Sequence, residues 1–231
     1  MAEFDAFAGN YRELLNQSIR ISGDTSDYFA AYKAAYIARK GAPHGAGKLL
    51  DYGCGAGILS LHLKRCMPAF RIDGFDVSRD SLARVDTSLL SQGIFTSSLQ
   101  DLGCAYDIIV LANVLHHVRP EHRQELILEA GSRLLDGGML IVFEHNPTNP
   151  LTRWAVSHCA FDEDAILLPA RETRHYFRVP GFRLLWRDYI VFFPRWLAWF
   201  RPLDPFLHRV PLGAQYVTAA GKLPGHGYHS E

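Results

Sequence analysis

The stretch Leu49-Leu50-Asp51-Tyr52-Gly53-Cys54-Gly55-Ala56-Gly57-Ile58-Leu59 is an apolar run that breaks into a glycine-rich turn and then resumes at helical spacing. It reads as strand, tight loop and helix. Glycine at every second position removes side chains where the backbone turns sharply, and it lets a ligand approach main-chain N–H groups at the start of the next helix. A dinucleotide fingerprint needs Gly or Ala at the sixth position of G-x-G-x-x-G, and counting from Gly53 that position is Ile58. The pyrophosphate reading weakens accordingly. What remains is D-x-G-x-G-x-G, in which Asp51 ends the strand with a carboxylate suited to a ligand ammonium group. Phe70-Arg71-Ile72-Asp73-Gly74-Phe75-Asp76-Val77 then reads as a second strand that also ends in an acid. Asp76 follows the loop by about twenty residues, where an acid accepts the hydroxyls of a ribose bound across the first strand.

These residues resemble the class I S-adenosylmethionine-dependent methyltransferases, and the match continues downstream. Ala105-Tyr106-Asp107-Ile108-Ile109-Val110-Leu111-Ala112-Asn113-Val114-Leu115-His116-His117-Val118 is similar to that family's fourth strand and the segment after it, and Leu134-Leu135-Asp136-Gly137-Gly138-Met139-Leu140-Ile141-Val142 to the turn into its fifth strand. The resemblance covers residues 45–145. It implies an α/β fold, a Rossmann-like seven-stranded, mostly parallel sheet with helices on both faces and an antiparallel last strand. It also implies S-adenosyl-L-methionine as cofactor, bound by Asp51, Gly53, Gly55 and Asp76, with Tyr52, Gly57, Val77, Leu99 and Asn113 lining the site. Where the family often holds adenine with Asp and an apolar residue, this chain offers Ser98 and Leu99.

Residues 4–42 carry Phe4, Phe7, Tyr11, Leu14, Leu15 and Ile19, then Tyr28, Phe29, Tyr32, Ala35 and Tyr36, at helical intervals. Two helices separated near residues 22–27 are expected. In the resembled family such helices fold over the pocket, which makes Tyr11, Tyr28 and Lys33 candidates to touch cofactor or substrate; packing onto the sheet is the alternative for each. Residues 107–111 are almost all apolar, as befits a central parallel strand. Asn113, His116 and His117 follow at its carboxyl edge, where ligands bind in open α/β sheets. The fifth strand, residues 139–143, ends in Glu144-His145-Asn146-Pro147. An insertion over residues 147–168, with Trp154 and Phe161, is expected to roof the pocket, and residues 183–193 and 214–220 to form the closing strand pair.

At 231 residues, 48% hydrophobic and 21% charged, the chain suits one packed domain over residues 1–231, with residues 1–42 as a helical cap. Lys+Arg and Asp+Glu both number 24, and no polybasic block stands out, which argues against nucleic acid as partner. Asn146-Pro147 and Asn149-Pro150 follow strand five, whereas the N-P-P-[FY] motif of nucleic-acid amino methyltransferases follows strand four. Four cysteines without a C-x-x-C pair read as reduced thiols of a cytoplasmic protein. Acids at the N-terminus and the lack of an apolar run of about 20 residues argue against a signal peptide and a membrane span. His145, His158, Cys159 and Asp162 follow no standard zinc spacing, so no metal is expected.

Methyl transfer is an in-line displacement in which the protein aligns the nucleophile and excludes water, with a base where the acceptor carries a proton. His145, His117 and Glu144 are the candidate bases, and Tyr11, Tyr28, Trp154 and Phe161 the candidate substrate contacts. That aromatic set points to a small hydrophobic or aromatic metabolite bearing a hydroxyl, carboxyl or amine, methylated on oxygen or nitrogen. Two alternatives stay open: a member of the fold that binds the cofactor without methylating, and a methyltransferase of a lipid-linked substrate. Residues 189–200, rich in Tyr, Phe and Trp, read as core, dimer contact or greasy surface. Trp beside Arg suits a membrane interface or an apolar substrate mouth, so peripheral membrane contact and both monomer and homodimer remain open.

Overall fold

The structure is a computed structural model and describes residues 23–41, 45–159 and 164–225. Tyr11, Phe161 and the helix expected over residues 4–19 lie outside the described residues.

The helices α1 (Ser26–Lys40) and α2 (Ile58–Cys66) flank β1 (Gly47–Tyr52), and β2 (Phe70–Phe75) follows. The crossover expected over residues 78–91 folds as two single turns, α3 (Arg79–Leu82) and α4 (Thr87–Leu90). Each has its own side-chain cap: Ser78 Oγ accepts from Ser81 N at 3.1 Å, and Asp86 Oδ1 from Ser88 N at 2.8 Å. Two N-caps eight residues apart restart the helix instead of extending it. β3 (Phe95–Thr96), β4 (Tyr106–Ala112), α5 (Pro120–Ser132) and β5 (Leu134–His145) come next. They lead to α6 (Pro150–Ser157), α7 (Ala170–Tyr176), β6 (Phe182–Ile190), α8 (Asp204–Leu207) and β7 (Gln215–Lys222).

The seven strands form one sheet in the order β3-β2-β1-β4-β5-β7-β6. Pairing is parallel from β3 to β5, and β7 runs antiparallel between β5 and β6. β5 starts earlier than its apolar run because Leu134 pairs with Tyr106 before a register shift restores the ladder at Met139 opposite Ile108.

Alternation along the central strands divides the core. Leu49, Ile108, Val110, Ile141 and Phe143 pack with Ala34 and Ile37 of α1 and Leu59 and Leu63 of α2. Leu50, Ile109, Leu111, Leu140 and Val142 face the other way, onto Ile127 and Ala130 of α5 and Tyr176 of α7. Helices on both faces force β4 to be apolar throughout, and they leave the carboxyl ends of β1, β2, β4 and β5 to meet at one edge. Among the described residues, no helix is long and apolar enough to cross a membrane.

Candidate active site at the carboxyl edge of the sheet

A cavity of about 580 Å³ opens along this edge, within the range that holds a cofactor-sized ligand. Its floor is the loop after β1. Gly53 has φ of +85°, and its N–H donates to Phe75 O at 2.7 Å, which stitches the loop to the tip of β2. A Cβ there would lie 2.5 Å from Val114, so the approach itself demands glycine. Gly55 has φ of +52°, and nothing lies within 4 Å of where its Cβ would be. That space belongs to the cavity, so backbone is offered to a ligand there.

Asp76 holds the loop in place. Its Oδ2 accepts from Gly55 N at 2.7 Å and its Oδ1 from Ser78 N at 2.9 Å, which fixes the carboxylate at the tip of β2 on the cavity wall. Asp51 is buried on the same wall, with Ser60 Oγ donating to its Oδ2 at 2.6 Å. Burial pushes its carboxyl up to about 6, against the lowering by Ser60 and Lys33, while Asp76 adds to the rise. A buried carboxyl of this kind gains from a cation brought to it.

Lys33 reaches into the same space from α1, and burial pulls its ammonium down to about 8 although Glu144 and Asp51 oppose that. Its Nζ donates to Asn113 Oδ1 at 3.1 Å. An ammonium can only donate, so this contact fixes the amide and turns Nδ2 toward His145 Nε2, 3.2 Å away. The contact therefore needs an unprotonated Nε2 on His145. Asn113 stands where β4 gives way to a short turn and has φ of +60°, a conformation that Asn tolerates better than most residues.

The turn after Asn113 carries His116 and His117 in one 3₁₀ element, Leu115–His117. Glu144 at the end of β5 is fully buried behind it: Oε1 accepts from Leu115 N at 2.7 Å, and Oε2 lies 2.6 Å from His116 Nδ1. Burial would raise the Glu144 carboxyl, but His116, His145 and the Leu115 N–H together hold it below its ordinary value. An ionised Glu144 assigns the proton to His116 Nδ1, which makes Nε2 the basic nitrogen of the neutral ring.

Arg123 of α5 locks this turn from behind. Its Nε donates to Leu115 O and Val118 O, both at 2.9 Å, Nη1 to Glu172 at 2.7 Å and Nη2 to Ile166 O at 2.6 Å, with the side chain 1% exposed. Arg123→Met removes the donor shared by Leu115 O, Val118 O, Ile166 O and Glu172, while Leu115 O keeps Val118 N and Glu172 keeps the Tyr176 hydroxyl. We expect it to lower stability by about 2 kcal/mol, read from denaturant unfolding. A loss under about 1 kcal/mol would mean that the turn is held by other contacts.

Asp51, Tyr52, Gly53, Gly55, Asp76, Val77, Asn113, His117 and His145 all line the cavity, as do Lys33 and His116. Other expected residues stand elsewhere. Gly57, with φ of +74°, caps α2; Leu99 is partly buried against the core face that packs on α5 and α7; Glu144 lies behind His116. Tyr28 lies outside the cavity wall under the Arg201 guanidinium, 4.2 Å from its ring centre. Trp154 is on the outer face of α6, stacked on His158, while Leu151, Thr152, Ala155 and Val156 of that helix line the cavity. The wall also uses Phe29, Val191, Phe192 and Gln215, which no motif marks.

The profile described as "Methyltransferase domain" matches residues 26–189. The ubiquinone/menaquinone biosynthesis C-methyltransferase of Syntrophotalea carbinolica is 31% identical over 154 residues, covering 64% of this chain and 62% of that protein. The ribosomal RNA small subunit methyltransferase C of Erwinia tasmaniensis is 34% identical over 106 residues, covering 42% of this chain and 31% of that protein. The chain thus spans under two thirds of the length of either relative. Among solved structures, the magnesium protoporphyrin IX methyltransferase of Synechocystis PCC 6803 with bound SAH superposes with a TM-score of 0.66 at 17% identity, over 95% of this chain and 96% of that one. With the profile covering most of the sheet and its glycine loop, the chain belongs to the methyltransferase domain family.

Proposed function

We propose that the chain transfers a methyl group from S-adenosyl-L-methionine to a small, apolar or aromatic acceptor. The observation that carries this reading is one continuous cavity, with the glycine loop and two acids at its β1 and β2 end and imidazoles at its β4 and β5 end. The residues fit the cofactor: Asp76 for ribose hydroxyls, Gly55 for close backbone approach, and Asp51 for the ammonium group. When bound, the cofactor supplies an electrophilic methyl on a sulfonium.

The protein's own part is to orient the acceptor, exclude water and take up a proton where the acceptor has one to lose. His116 is suited to that last step, with Glu144 holding its Nδ1–H. His145 and His117 face the same space, and His145 keeps Asn113 aligned. Phe29, Val156, Val191 and Phe192 on the wall support an apolar acceptor. Incubation with methyl-labelled cofactor and a cell extract should yield a labelled small molecule. Label in RNA or protein would overturn the substrate class.

A pH dependence follows from Asp51. Its carboxyl titrates near 6 in the free protein and must be ionised to meet an ammonium group. Affinity for S-adenosylhomocysteine is therefore expected to be constant above about pH 7 and to fall by up to about tenfold per unit below pH 6. Calorimetry across this range tests it, and Asp51→Asn should bind weakly with a flat profile. A flat profile in the unaltered protein would remove Asp51 from the ammonium contact.

A further inference from the structure

Residues 195–212 reverse the usual distribution of apolar and polar groups. The segment follows β6 as a 3₁₀ stretch, Arg195–Leu203, continues through α8 and returns to β7. Its polar groups hold it to the body of the protein. Arg201 donates to Asp24 Oδ2 at 2.7 Å and to Phe193 O at 3.1 Å and lies over Tyr28, while His208 O accepts from Tyr189 N at 2.7 Å. The large apolar side chains are left to solvent: Trp196, Trp199 and Phe206 are 67%, 74% and 80% exposed. So firmly tethered a segment with its indoles outward is a built surface.

Charge gives the surface a direction. The whole chain is neutral, yet this stretch has three arginines and a single acid, Asp204, which is buried. Arg201 is matched by Asp24, which leaves Arg195 and Arg209 as its exposed charges. Exposed Trp and Phe bordered by arginine is the chemistry of a segment that lies in a lipid headgroup layer, with rings among acyl chains and guanidinium groups on phosphates. The surface also runs into the cavity. Phe192 and Pro194 line it just before the segment, and at the far end Leu212 O accepts from Asn149 Nδ2 at 2.6 Å, next to the exposed, cavity-lining Leu151.

We propose that the face formed by Trp196, Trp199, Phe206, Arg195 and Arg209 docks on an anionic lipid bilayer and turns the cavity mouth toward it. The docking stands independently of the methyl-transfer reading. Only its consequence rests on that reading: the acceptor would be a membrane-soluble compound, entering past Phe192 and Leu151 without crossing water.

The test is co-sedimentation of the full chain with vesicles of phosphatidylcholine containing phosphatidylglycerol, beside vesicles of phosphatidylcholine alone. Binding is expected to the anionic vesicles, with a blue shift of tryptophan emission. Trp199→Ser with Phe206→Ser should weaken it by about tenfold or more, since it removes the rings that enter the acyl region. Arg195→Gln with Arg209→Gln should weaken binding to anionic vesicles by roughly fivefold per arginine and leave binding to neutral ones unchanged. S-adenosylhomocysteine affinity should be unaltered in both variants, which separates failure of docking from failure of the cofactor site. Absence of vesicle binding, binding indifferent to both double variants, or a dimer in sedimentation velocity that Trp199→Ser abolishes would each overturn the proposal, the last because a second copy would then occupy the face.

Discussion

Glu144→Gln is expected to slow methyl transfer by roughly a hundredfold or more, with cofactor affinity and fold intact. Its carboxylate accepts from Leu115 N and from His116 Nδ1, so it dictates which ring nitrogen carries the proton. An amide of the same shape can still accept from Leu115 N. It then turns an N–H toward Nδ1, which favours the opposite tautomer and leaves His116 Nε2 protonated and unable to act as a base. His116→Ala should cost a similar factor, and the double variant little more, because the two side chains act as one unit. His145→Ala should cost less, since its Nε2 is engaged by Asn113. Single-turnover rates with the acceptor found by methyl labelling test this. If Glu144→Gln and His116→Ala both turn over at the unaltered rate, catalysis is by alignment alone.

Gly55→Val should abolish S-adenosylhomocysteine binding, and Asp76→Ala should weaken it by roughly 1.5 to 3 kcal/mol, the scale of a hydrogen bond to a charged group. The two act differently. At Gly55 a side chain would enter the cavity and would also suffer the left-handed φ of +52°. At position 76 the loss is twofold, because the carboxylate offered to ribose is also the acceptor for Gly55 N. Circular dichroism and thermal unfolding should show both variants folded, since neither position lies in the hydrophobic core. Binding retained by Gly55→Val would place the cofactor elsewhere.

The grouping of the residues proposed to hold the cofactor is legible in the sequence because it is local: Asp51, Gly53 and Gly55 fall within five residues, Asp76 ends the next strand, and all four line one cavity. Strand order followed from the same landmarks, and the closing antiparallel pair over 182–190 and 215–222 lies close to its expected place. The acceptor half was less legible. Glu144 and His116 are 28 residues apart and meet only because β4 and β5 are neighbours in register, so a carboxylate that reads as a candidate base at a strand end is fully buried behind an imidazole. Helical phase misled at Trp154. The asparagine cap at Asn149 sets α6 so that Leu151, Thr152, Ala155 and Val156 face inward and the indole faces out. Leu99 carries no motif of its own in the sequence, and the structure has it partly buried against the core face of β1 and β4, not on the cavity wall.

The cavity is expected to take S-adenosyl-type ligands through the glycine loop and Asp76. Isothermal calorimetry of the purified chain with S-adenosylhomocysteine, and in parallel with NAD, tests it most directly. Saturable one-to-one binding of S-adenosylhomocysteine that Asp76→Ala weakens is expected, with no heat from NAD. Saturable binding of NAD with none of S-adenosylhomocysteine would contradict it.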